Sequence, residues 1–274
     1  MPGGIEIDLF AESFGDDGEA VLLISGADAH CTRWTPALID PLVDAGYRVV
    51  RFDNRDSGLS TKVPSDVGYT LADMAADAVS VLDDLSISEA HVIGRSMGGM
   101  VGQVLALENP NRVRSLTMLC SSPGLGDERL PPASDWLVDK MSERLFAPPP
   151  VSHAERVAWV VELDRLFAGP RYPFDEASAR SAAEIEVERC WYPESGHGPA
   201  VGASPSRLDR LGGVTVSTLV VHGTADPVFP VDHALALAEG IPDASLWLVE
   251  GLGHEVPDAC LKDLLPRLLE HLGS

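Results

Sequence analysis

Gly94, Arg95, Ser96, Met97 and Gly98, with Gly99 behind them, spell Gly-x-Ser-x-Gly, a spacing that can present a nucleophilic serine. Chance alone supplies the bare pattern in roughly one chain in five of this size and glycine content, so its setting has to carry the reading. That setting is specific. The apolar run at 90–93 ends against Gly94, and a helical pattern begins at Met97. A chain that passes abruptly from strand to helix strains the serine's backbone, and flanking side chains would collide with the adjoining elements, which is the reason for glycine there. Such a turn lifts the Ser96 hydroxyl to the carboxyl edge of a sheet. The neighbouring helix amino terminus, with its free N–H groups, favours developing negative charge.

A serine hydroxyl is a poor nucleophile at neutral pH and needs a base held in one tautomer by an acid. Asp226 follows an apolar run at 218–221 and precedes Pro227, while His254 follows another run at 245–249 through a glycine-containing loop. The order Ser96, Asp226, His254, each past a strand end, places the three at one rim of a parallel sheet. Acyl transfer also needs two donors for the oxyanion. The N–H of Met97 is one, and the small residues of Ser25-Gly26-Ala27-Asp28 nominate the N–H of Ala27 as the other. Trp34, Phe229 and Trp191 are the candidate substrate contacts.

The remaining histidines have blander expectations. His91 packs within a strand, His153 and His271 sit at solvated helix positions, His197 lies in a glycine-containing turn, and His222 braces the Asp226 turn without metal-ligand spacing around it. Arg95 is expected to pair with a carboxylate behind the turn, pointing away from any pocket.

Positioning those residues requires a sheet covered by helices, and the chain supplies one. Short Val-, Ile- and Leu-rich runs alternate with helical segments, the signature of an α/β fold. An edge strand is expected at 5–10, buried strands at 20–24, 47–52, 90–93, 113–120, 218–221 and 245–249, and helices at 34–45, from Thr70, at 97–108 and within 259–272. The alternation breaks between Pro123 and Gly213, which divides the chain into a core of residues 1–122 and 214–274 and a helical insert at 123–213. In the insert, Trp136, Leu145, Phe146, Trp159, Leu163, Phe167, Trp191 and Tyr192 either pack on one another or line a pocket, packing being the default.

Composition narrows the partners. The 274 residues are 45% hydrophobic and 23% charged, enough for one large domain, and the formal net charge of −22 repels phosphate backbones and anionic lipid. A small-molecule substrate is expected, with neither nucleic acid nor membrane as partner, and the oligomeric state, monomer or homodimer, stays open. The four cysteines, with no CxxC spacing, read as reduced thiols in a cytoplasmic setting. Residues 1–10 lack the basic run and apolar core of a secretory signal.

These residues together resemble a known family. The loop at 24–34, the stretch Arg51-Phe52-Asp53-Asn54-Arg55-Asp56-Ser57-Gly58-Leu59-Ser60, the segments 71–82 and 115–119, the turn through Gly99 and the loops ending at Asp226 and His254 are similar to the serine hydrolases of the α/β-hydrolase superfamily. Within it they most resemble aclacinomycin methylesterase and related bacterial esterases. The resemblance implies a mostly parallel twisted sheet with helices on both faces and a helical cap. It further implies ester hydrolysis without metal or organic cofactor, with Ser96 as nucleophile, His254 as base and then acid, and Asp226 orienting it. Where many members carry His-Gly, this chain has Ser25 and Gly26, and its insert aligns poorly with the methylesterase. A perhydrolase of the cofactor-free haloperoxidase type, a lactonase or a carbon–carbon hydrolase keeps the same three residues, and a non-catalytic small-molecule receptor keeps the same scaffold. Epoxide and haloalkane chemistry is disfavoured, because there the resemblance requires aspartate at position 96.

Overall fold

A computed structural model describes residues 5–273, so the parts of the amino-terminal and domain readings that fall on residues 1–4 and 274 lie outside it. Seven strands form one sheet: β1 (Ala11–Phe14), β2 (Ala20–Ile24), β3 (Arg48–Phe52), β4 (Ala90–Arg95), β5 (Val113–Leu119), β6 (Ser217–Gly223) and β7 (Ser245–Val249). Their order is β1-β3-β2-β4-β5-β6-β7, with β1 antiparallel to β3 and every other neighbouring pair parallel. β2 is apolar throughout and every residue of it is buried, as a central parallel strand covered on both faces requires.

The edge strand begins later than its alternation predicts. Residues 5–10 do not join the ladder, because loop groups take their hydrogen bonds instead. The Asp8 N–H donates to Thr61 Oγ1 (2.9 Å), the Phe10 N–H to Ser60 Oγ (3.0 Å), and regular pairing starts only at Ala11, opposite Phe52.

Helices α1 (Pro36–Asp44), α2 (Leu71–Asp84) and α3 (Met97–Glu108) fill the connections of the first half. Thr70 starts α2 through a capping box with Asp73, which satisfies two otherwise orphaned N–H groups. Ten of the twelve residues of α3 are buried, from Met97 to Ala106, so this helix lies inside the protein and fixes the residue before it. Between β5 and β6 run α4 (Asp135–Phe146), α5 (His153–Phe167), α6 (Glu176–Arg189) and α7 (His197–Ala203); α8 (Asp232–Gly240) and α9 (Asp258–Leu272) complete the chain. Val157, Val161, Ala183 and Val187 give α5 and α6 a small core of their own, whereas Ala200, Val201 and Leu211 join the main core beneath the sheet. No helix among the described residues is long and apolar enough to cross a membrane.

Candidate active site

Ser96 stands between the last residue of β4 and the first of α3 with φ 52° and ψ −119°. A non-glycine residue in that region costs about 1–3 kcal/mol, which the rigid elements on both sides sustain. The glycines around it are there for clearance. A Cβ on Gly94 would run into the Gly98 carbonyl, and one on Gly98 into the Ile24 carbonyl oxygen. The Ser96 N–H donates to the Leu119 carbonyl on β5 (2.9 Å), and its own carbonyl accepts from Ser121 Oγ (2.8 Å).

Strands β6 and β7 deliver the other two predicted residues to the same rim. Nε2 of His254 lies 3.0 Å from Ser96 Oγ, and Nδ1 lies 2.8 Å from Asp226 Oδ2. The other carboxylate oxygen, Oδ1, accepts from the Val228 and Phe229 N–H groups (2.8 and 3.0 Å). Burial alone would raise the Asp226 pKa, but the neighbouring His254, its hydrogen bond, His222 and the Phe229 N–H hold the carboxyl below the usual range. It is therefore an anion at neutral pH, able to keep a proton on Nδ1 and leave Nε2 as the acceptor facing the serine. His222 sits behind the turn, with Nε2 2.8 Å from the Phe229 carbonyl oxygen and 3.5 Å from Asp226 Oδ2.

Cys120, His222 and Asp226 bring possible metal donors within 4.8 Å of one another, a grouping that spacing along the chain conceals. It fits an ion poorly. Both carboxylate oxygens already accept hydrogen bonds, and burial pushes the Cys120 thiol well above its ordinary pKa, away from the thiolate a metal needs. All four cysteines are free.

Of the two N–H groups nominated for the oxyanion, one follows the serine directly and the other lies on a loop that comes close to it. Met97 opens α3, and a Cβ on Gly26 would lie 3.3 Å from Ser96 Cβ, which measures how closely the loop carrying Ala27 approaches. Among the described residues neither N–H donates to a protein acceptor. The loop is pinned at both ends: Asn54 Nδ2 donates to the Ser25 carbonyl (3.2 Å), and the His30 N–H donates to Glu186 Oε1 on α6 (3.1 Å). Asp53, fully buried, accepts from the Cys31 and Leu59 N–H groups (2.7 and 2.9 Å) and from Arg189 (3.0 Å).

A cavity of about 250 Å³ opens between this loop and the insert. Ala27, Trp159, Leu163, Phe167, Trp191 and Tyr192 are among its walls, so five of the insert's eight marked apolar residues line a pocket. Trp136, Leu145 and Phe146 do neither of the expected things and are exposed (50, 79 and 85%). Of the candidate substrate contacts, Trp191 lies in the cavity wall and Phe229 is buried with its ring centroid 5.4 Å from that of His254. Trp34, just after the 3-10 turn that precedes α1, packs into the core and lines a separate void of about 30 Å³ together with Gly26 and Arg95.

Three further expectations are corrected. Arg95 does form an ion pair, bidentate to Glu255 (2.8 and 2.6 Å), the residue after His254, yet it does so at the cavity wall and not behind it. His197 is no turn residue: it opens α7, fully buried. His271 is half-buried rather than solvated, and burial lowers its pKa.

The contact of the Phe167 backbone with the His254 loop, and the charge cluster around Arg33, gave no signal in the sequence. The Phe167 carbonyl, at the end of α5, accepts from the His254 N–H (2.8 Å) and the Glu255 N–H (3.1 Å), and its ring stands edge-on to His254 at 5.2 Å. Arg33 bridges Asp164 on α5 (2.9 Å) and Glu186 on α6 (2.7 Å). Burial pushes Asp164 up to about 6.

A nucleophile turn, an acid and a base at the carboxyl ends of β4, β6 and β7 define a serine hydrolase site in a parallel α/β sheet. The family model for the alpha/beta hydrolase fold matches residues 19–258, and the chain belongs to that family. It is 30% identical to rhodomycin D methylesterase DnrP of Streptomyces peucetius over 287 aligned positions, covering 97% of this chain and 95% of that one. It is 27% identical to a 2-hydroxy-6-oxononadienedioate/2-hydroxy-6-oxononatrienedioate hydrolase of Cupriavidus pinatubonensis, covering 92% and 86%. Among solved structures, a bromoperoxidase from Bacillus anthracis superposes with a TM-score of 0.82 at 22% identity, covering 99% of this chain and 97% of the other.

Proposed function

We propose that this protein hydrolyses a carboxylic ester of a small or medium-sized, fairly apolar molecule through an acyl-enzyme on Ser96. The observation that carries the reading is the unbroken relay from Ser96 Oγ through the His254 ring to Asp226, at 3.0 and 2.8 Å. His254 Nε2 takes the hydroxyl proton as Oγ attacks the acyl carbon, and the Asp226 carboxylate stabilises the imidazolium. The N–H groups of Met97 and Ala27 hold the oxyanion. As the tetrahedral adduct collapses, His254 returns its proton to the departing alcohol. A water, deprotonated by the same nitrogen, then attacks the acyl carbon, and breaking the Ser96 ester bond releases the acid and restores the hydroxyl.

The aromatic and aliphatic side chains of the insert suit an apolar acyl or alcohol group. A methyl ester of a polyketide-like molecule is the first candidate, on the likeness to rhodomycin D methylesterase DnrP.

The test is turnover of a p-nitrophenyl ester panel, varied separately in acyl and alcohol parts. Wild-type protein should hydrolyse members of the panel, and Ser96→Ala should lower turnover by about three powers of ten or more with the thermal melt unchanged. Equal turnover by the two proteins would assign the chemistry to another residue. Inactivity on all esters, with cleavage of vinylogous diketones, would move the reading to carbon–carbon hydrolysis.

A further inference from the structure

His197, fully buried, joins the insert to the loop carrying Ala27. Its Nδ1 lies 2.8 Å from the Asp28 backbone nitrogen, and its Nε2 lies 2.7 Å from the Arg55 carbonyl oxygen. An amide N–H can only donate and a carbonyl oxygen can only accept, so these two contacts place the Nδ1 lone pair toward the Asp28 N–H and the proton on Nε2. The far anchor is itself fixed, because the Arg55 guanidinium is bidentate to the buried Asp77 (2.6 and 2.7 Å). Tyr69 stands edge-on to the imidazole with centroids 6.4 Å apart, and the Asp28 carboxylate lies 3.2 Å from Nδ1.

What the ring holds is a strained residue next to a working one. Asp28 has φ 61°, a conformation that side-chain-bearing residues adopt at a cost and that needs an external partner to persist. Fixing its N–H fixes the peptide plane between Ala27 and Asp28. That plane adjoins the Gly26–Ala27 plane, which carries the nominated N–H on a loop where a Cβ on Gly26 would lie 3.3 Å from Ser96 Cβ. A small rotation there would turn the oxyanion donor away from the reacting carbon.

We propose that His197 is a positioning residue for the oxyanion hole: an imidazole from the insert aims the Ala27 N–H, so that seating α7 against the core completes the hole. This rests on the assignment of Ala27 as an oxyanion donor.

Asn and Gln separate the two ends of the ring. His197→Asn places an amide oxygen where Nδ1 was and keeps an acceptor for the Asp28 N–H. His197→Gln reaches toward the Arg55 carbonyl and leaves that N–H without its acceptor. Steady-state ester hydrolysis and inhibition by a trifluoromethyl ketone, which mimics the tetrahedral adduct, are the readouts, with thermal melts alongside. The Gln variant should lose about tenfold to a hundredfold in kcat at little change in KM, and bind the ketone more weakly by a similar factor; the Asn variant should stay within about threefold of wild type. Wild-type kcat in the Gln variant, equal losses in both variants, or a change confined to the melt would overturn the inference. If the Gln variant does not fold, His197→Ala with added imidazole replaces it: recovery of kcat is expected, and none would contradict the proposal. Wild-type protein inert toward every ester would fail the parent reading, and this one with it; an active wild type beside an indifferent Gln variant would fail this one alone.

Discussion

The sheet core and the helical insert both reach Ser96, but they hold it differently. The core works through short connections: β4 runs straight into Ser96, β6 ends three residues before Asp226, and β7 ends five before His254. The insert works through long-range contacts to loops that the core also holds from its own side. The Phe167 carbonyl takes the His254 and Glu255 N–H groups, and Glu186 takes the His30 N–H. The core thus fixes which residues meet, and the insert fixes how exactly they are aimed. Changes to the three relay residues should therefore remove the chemistry, whereas changes to the contacts that aim them, from either region, should detune it.

Among the contacts that aim His254, the largest effect is expected at Gly169, an insert residue far from the nucleophile in sequence. A Cβ there would be driven into the Gly253 nitrogen and the Gly251 carbonyl, just before His254. Gly169→Ala should lower kcat by about tenfold or more and the melting temperature by several degrees, measured by steady-state assay and calorimetry. Wild-type kcat would mean that the insert does not aim His254.

A middling effect is expected for the Arg95–Glu255 pair, which ties the residue before the nucleophile to the residue after the base. Arg95→Met or Glu255→Gln should each lower kcat by about threefold to tenfold, and the double variant should lose less than the product of the two losses. Strict multiplicativity in that double-mutant cycle would show the two side chains to be independent.

The smallest belongs to the core and touches stability only. His91 is buried, with Nδ1 2.8 Å from Ser115 Oγ, and burial holds its pKa below the ordinary histidine value near 6.5. The folded protein thus binds that proton less readily than the unfolded chain, so the stabilisation is complete above about pH 6.5 and shrinks as pH falls below it. His91→Asn keeps an acceptor or donor for Ser115 and removes the titration. Its melting temperature should fall by about one to three degrees less than that of wild type between pH 7 and pH 5, in paired scans; parallel curves would assign the pH dependence to other groups.

How much of this was legible in the chain follows the same division. The nucleophile turn is readable because its glycines are imposed locally, within five residues, by clashes that any side chain would cause. Asp226 and His254 are readable because each follows an apolar run that can only be a buried strand. Residues 5–10 misled because alternation states which groups point inward but not what accepts their hydrogen bonds, and here Ser60 and Thr61 compete with a neighbouring strand. The long-range contacts of His197 and Phe167 could not be read: one acts through a ring nitrogen on a residue 169 positions away and the other through a backbone carbonyl, which every residue type possesses.

Intact-mass spectrometry after incubation with a fluorophosphonate, followed by peptide mapping, tests the central claim most directly. One phosphonyl group per chain, located on Ser96 and absent from Ser96→Ala, is the predicted result. A wild-type chain that stays unlabelled, or carries the label on another residue, would contradict it.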